Sequence, residues 1–89
     1  NFSNHMVYIA RELMARGGHD AALLDPLLRE TMEKILEMGA AGAQTGPALR
    51  GDRGTMERHL ELLKSYPGWD KLYTFVSQDI QARKEDDQF

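Results

Sequence analysis

The chain has 89 residues, 42% hydrophobic and 28% charged, with a net charge of −3. This length gives one domain at most, and one that is only marginally stable by itself. The negative charge argues against nucleic acid or an anionic membrane as partner, and the lack of cysteine excludes a disulfide framework and a thiolate zinc site.

No apolar run approaches the roughly 18 residues that span a membrane, and no signal-peptide pattern is visible. Five methionines and no cysteine fit a cytoplasmic location. The chain opens on NFSNHMVYIARELM with no initiator methionine, which predicts a piece of a longer protein.

The first predicted helix covers Phe2 to Arg16. Phe2, Met6, Ile9, Leu13 and Met14 follow the i, i+3, i+4 rhythm of one face. Glu12 and Arg16 make a favourable pair. Gly17 and Gly18 supply a positive φ for its end. Asn4 lies within a turn of Phe2 and Met6. It is either an interior amide in need of partners or an exposed residue at a frayed end.

A second segment covers Ala21 to Met38, with Asp20 as N-cap and Gly39 as terminator. Leu24, Leu27, Leu28, Thr31, Met32, Ile35 and Met38 line its broad face. Pro26 interrupts it. Either one helix kinks there, or a short turn precedes a helix capped by Asp25 with Pro26 at its first position.

Ala40 to Asp52 reads as a loop, longer than the usual helix connection. Five of the eight glycines fall between Gly39 and Gly54. Asp52 reads as the N-cap of a third helix, Arg53 to Ser65, whose stripe is Met56, Leu60, Leu63 and His59. Pro67 and Gly68 break it. A fourth helix runs from Trp69 to Ala82 on Trp69, Leu72, Tyr73, Val76 and Ile80, with Asp70 in its first turn. The tail ARKEDDQF is expected to fray. With no alternating stretch, the fold class is all-α, with four or five helices.

Several chemistries lack their residues. There is no GxGxxG after a strand and no GxxxxGK[ST], so these residues hold no cofactor site. His5, His19 and His59 sit on three elements without HExxH, so no metal is expected. Ser3, Thr45 and Ser65 lack the context of a nucleophile, and GxSxG is absent. Arg53, Arg58, His59 and Lys64 are offset by Glu57 and Glu61, which is not a DNA-reading face.

The stretch AQTGPALRGD remains. Pro47 fixes its own φ, Gly46 and Gly51 allow sharp turns, and Asp52 can cap the next helix. Thr45 offers a hydroxyl and Arg50 a planar cationic fork for a carboxylate or phosphate. The plain alternative is a connector in which Arg50 pairs with a surface acid.

The SN of NFSNHMVYIARELM, PLLRETMEKI, TGPALRGD and WDKLYTFVSQDI together resemble the C-terminal helical domain DUF2520 of Rossmann-like oxidoreductases. That family is similar to the C-terminal superfamilies of pyrroline-5-carboxylate reductase and 6-phosphogluconate dehydrogenase. The resemblance covers nearly the whole chain, and TGP-x-x-RGD is its most specific part. It implies a single helical domain over residues 1–89, a four- to five-helix bundle that dimerises and forms one wall of a substrate cleft. An upstream dinucleotide-binding domain would bind NAD(P). By the same resemblance Ser3 and Asn4 match the polar start of the helix facing that cleft. Asn4, Thr45 and Arg50 are the implied substrate-binding residues, and Gly46, Pro47, Gly51 and Asp52 shape and cap the loop. The chain alone would not be catalytic. Apolar stripes too numerous for so small a chain to cover fit a homodimer. The competing expectation is a helical interaction module with no catalytic role.

Overall fold

A computed structural model describes residues 1–89. The chain is all-α and forms two compact units, Asn1–Glu37 and Met38–Phe89. No helix is long and apolar enough to cross a membrane.

In the first unit, α1 spans Phe2–Arg16, begun by the Asn1 side chain, which accepts from the Phe2 N–H at 2.7 Å. Its end is closed in the Schellman manner. Gly18 takes φ 81° while Gly17 stays at −81°, and the N–H groups of Gly18 and His19 donate to the carbonyls of Ala15 and Met14. One of the two expected glycines therefore supplies the positive φ. A 3₁₀ turn over Ala21–Leu24 follows and packs on α1. Asp20 caps it by accepting from the Ala22 N–H at 2.9 Å.

Helix α2 spans Asp25–Met38. Of the two readings at Pro26, the structure adopts the turn followed by a helix. Pro26 sits in the first turn of α2, where its missing N–H breaks no intrahelical bond. Asp25 is not the cap. It has helical geometry (φ −58°, ψ −46°), and its carboxylate meets the Arg11 guanidinium at 2.7 Å. That ion pair ties α1 to the start of α2.

In the second unit, the expected long loop contains a further helical turn, α3, over Pro47–Arg50. Helix α4 spans Arg53–Leu63, two residues shorter than expected, and a turn closed by Tyr66 N–H to the Leu63 carbonyl at 2.8 Å leads on. Tyr66 and Trp69 stack across Pro67 and Gly68 with centroids 5.6 Å apart. Helix α5 spans Trp69–Glu85, three residues beyond the expected end. Asp87 at φ 57° closes it, with the Asp87 and Gln88 N–H groups donating to the Lys84 and Arg83 carbonyls. The tail is thus helical through Glu85 because its last carbonyls find donors. Helices α3, α4 and α5 pack on one another.

Burial is sparse. Ile9 in the first unit and Ala48 and Leu63 in the second are the buried hydrophobic residues. Leu27, Met32, Met38 and Val76, expected on covered faces, are exposed, as are Phe2 and Met6 at the start of α1. The periodicity predicts covered faces at these positions, and the structure leaves them open to solvent.

Adjacent leucines on α4 make a direct check of the buried face. Leu63 is 8% exposed and Leu62 73%. In urea unfolding of this chain, Leu63→Ala is expected to cost about 2–5 kcal/mol. Leu62→Ala is expected to stay within about 0.5 kcal/mol.

Candidate functional site

The turn TGPALRGD is built by its backbone. Gly46 at φ 104°, ψ 173° occupies a region essentially closed to other residues, and Pro47 then starts α3 with its φ already helical. Gly51 at φ 68°, ψ 28° reverses the chain in the left-handed region. The Gly51 and Asp52 N–H groups donate back to the Ala48 and Pro47 carbonyls at 3.3 and 2.9 Å. Ala48, 6% exposed, anchors the turn to the core of its unit.

Asp52 caps α4, as its position predicts. One carboxylate oxygen accepts from the Thr55 N–H at 3.1 Å and the other from the Thr55 hydroxyl at 2.7 Å. Arg58 donates to the same hydroxyl at 3.0 Å. The Thr55 hydroxyl bond, then the Thr55 N–H bond, hold the Asp52 carboxyl below its ordinary value of 3.8. Partial desolvation opposes this, and the charges of Arg50 and Arg58 add to it.

Arg50 is exposed, with its guanidinium 3.8 Å from Asp52. Thr45 is exposed, and its carbonyl accepts from the Gln44 side chain at 3.0 Å. Thr45, Gly46, Pro47, Arg50, Gly51 and Asp52 therefore share one turn of the second unit. Asn4 belongs to the first unit and is exposed. At 100° per residue it shares the polar face of α1 with Tyr8 and Arg11, not the apolar stripe. Ser3, beside it, is also exposed. His5 stacks on Tyr8 with centroids 5.7 Å apart.

Two features escape sequence reasoning. His59 Nδ1 lies 2.8 Å from the Tyr73 hydroxyl across α4 and α5, and burial raises the Tyr73 phenol above its usual value. Beside it, Arg53, Met56, Leu60, Tyr73, Ser77 and Gln81 line a groove of about 320 Å³. Both His59 and Tyr73 fall on apolar stripes, but no spacing rule pairs residues of two helices. The second feature is the bond from Lys84 Nζ to the Leu49 carbonyl at 2.6 Å, made across 35 residues.

The turn generates two expectations. Gly46→Ala, forced into the glycine-only region, should destabilise by of order 1–3 kcal/mol in thermal or urea unfolding. Asp52 has a depressed folded-state pKa, so its stabilisation is present above the unfolded value. It fades as pH falls below the ordinary 3.8 and through the depressed folded value. Asp52→Asn keeps a capping oxygen but loses the charge. A series of Tm values from neutral pH down to pH 2 should therefore fall less steeply in the variant over that acid window.

A family model described as "Domain of unknown function (DUF2520)" matches residues 1–80. No curated protein matches. A solved structure, a "putative NADP oxidoreductase" from Bacteroides fragilis, is similar with 37% sequence identity and a TM-score of 0.89. The similarity covers 93% of this chain and 32% of that one, so the chain spans about a third of that protein's length. With the family model matching all but the last residues, the chain belongs to the DUF2520 family.

Proposed function

We propose that this chain is the dimerisation and substrate-cleft domain of an NAD(P)-dependent oxidoreductase and is inactive in isolation. The observation that carries the reading is the likeness to the Bacteroides fragilis protein, a "putative NADP oxidoreductase" whose chain is about three times as long. In this reading a dinucleotide-binding domain precedes Asn1 and holds the cofactor, which supplies the hydride. The fold would then belong with the C-terminal superfamilies of pyrroline-5-carboxylate reductase and 6-phosphogluconate dehydrogenase.

The residues of this chain would bind and orient. Arg50 projects an exposed guanidinium from a turn fixed at both ends by glycine, which suits a carboxylate or phosphate on the substrate. Thr45 adds a hydroxyl, and Asn4 an amide from α1. The exposed Leu27, Met32, Leu36 and Met38 of α2 supply apolar surface for a second copy.

The second reading is a non-catalytic interaction module. The 3.8 Å approach of Arg50 to Asp52 favours it, since a plain connector would leave Arg50 beside a surface acid.

The test uses the full-length protein. It should bind NADPH, reduce at least one member of a panel of carboxylated carbonyl or imine compounds, and run as a dimer in light scattering. Arg50→Ala should raise KM for that substrate about tenfold or more, the size of a lost charge-assisted hydrogen bond. Leu36→Glu should shift the dimer toward monomer. A full-length protein that binds no NADPH would leave the module.

A further inference from the structure

A helix as short as α3 lies well below the length that holds itself together in water, so outside contacts must fix it. Its backbone closes three carbonyls. Gly46 accepts from Arg50 at 3.2 Å, Pro47 from Asp52 at 2.9 Å and Ala48 from Gly51 at 3.3 Å. The Leu49 carbonyl points to another partner, the ammonium of Lys84 on the last turn of α5 at 2.6 Å. A cation bonded to a terminal carbonyl of a helix is favourable in charge as well as geometry. Lys84 reaches across an open space. Ala48, Leu49, Gly51, Arg53, Gln81 and Glu85 line, with Lys84 itself, a cavity of about 440 Å³. The ammonium therefore adds a hydrogen bond, on this open side of the turn, to the packing of α3 against α5.

We propose that Lys84 is a positioning residue for the TGPALR turn. It holds the Leu49 peptide, and with it the direction in which Arg50 leaves the turn. The role assigned to Arg50 rests on the proposed function, whereas the ordering of the turn does not. Lys84 also lies past residue 80, where the family match stops. Because Lys84 is exposed, its loss is a small change for the whole fold and a large one for a four-residue helix.

Amide hydrogen exchange in the full-length protein tests this, with Lys84→Met and Lys84→Arg as variants. In Lys84→Met the amides of Arg50, Gly51 and Asp52 should exchange roughly three- to tenfold faster, the factor for one lost hydrogen bond. The amides of Leu60 to Leu63 in α4 should keep their rates, and Lys84→Arg should restore protection at the turn. Unchanged exchange at residues 50–52 would overturn the proposal. So would an equal acceleration throughout α4, which is the mark of general destabilisation. Steady-state kinetics with NADPH then separates the two claims. If Lys84→Met and Arg50→Ala both raise KM, and the double variant raises it no further than Arg50→Ala alone, Lys84 acts through Arg50. Faster exchange at the turn with KM unmoved in both variants would sustain the clamp and sink the substrate role of Arg50.

Discussion

Asp52 accepts from both the N–H and the hydroxyl of Thr55, and those two bonds decide where α4 begins. The rest of the second unit hangs on that start. It places Leu63 at the far end of α4 in the core, and His59 opposite Tyr73. It also holds the C-terminal side of the TGPALR turn, since the Asp52 N–H closes the Pro47 carbonyl while its side chain opens the next helix. One residue thus ends α3 and starts α4. Its negative charge suits both tasks, sitting at a helix N-terminus and within reach of Arg50.

Much of the fold was legible where local chemistry decides. Asp20, Gly18, Gly39 and Asp52 sit at element ends because caps and left-handed positions answer to one or two residues. Pro26 left two solutions open, and the pairing of Asp25 with Arg11, fourteen residues before it in the chain, is not visible in local sequence. Helix α3 was missed because a four-residue helix has no period to detect. The final turn of α5 was missed because a polar tail reads as frayed, whereas Asp87 in a left-handed conformation and the reach of Lys84 to Leu49 keep it wound.

The candidate site was legible in part for the same reason. The turn residues Gly46, Pro47, Gly51 and Asp52 have the conformations and bonds their types call for. For the side chains expected to bind, exposure is a feature that binding groups and solvated ones share. Arg50 and Thr45 leave the turn, and Asn4 sits on the polar face of α1 rather than within its apolar stripe. Leu36 at 85% exposure and Phe75 at 71% make the related point for apolar residues. A helix announces its apolar side, and the assembly around it decides whether that side is covered.

The two positive-φ glycines that bracket α3 also govern how this segment tolerates changes of length. Gly46 and Gly51 have four residues between them, with Pro47 set immediately after the first. One residue added between them would swing Arg50 by about 100° around the helix axis and detach the Leu49 carbonyl from Lys84. The residues ahead of Gly46 form ordinary turns closed by Ala43 to Gly39 and Gln44 to Ala41 bonds, and an insertion there can bulge outward. Relatives should therefore vary in length between Gly39 and Thr45, while keeping a fixed count from Gly46 to Asp52.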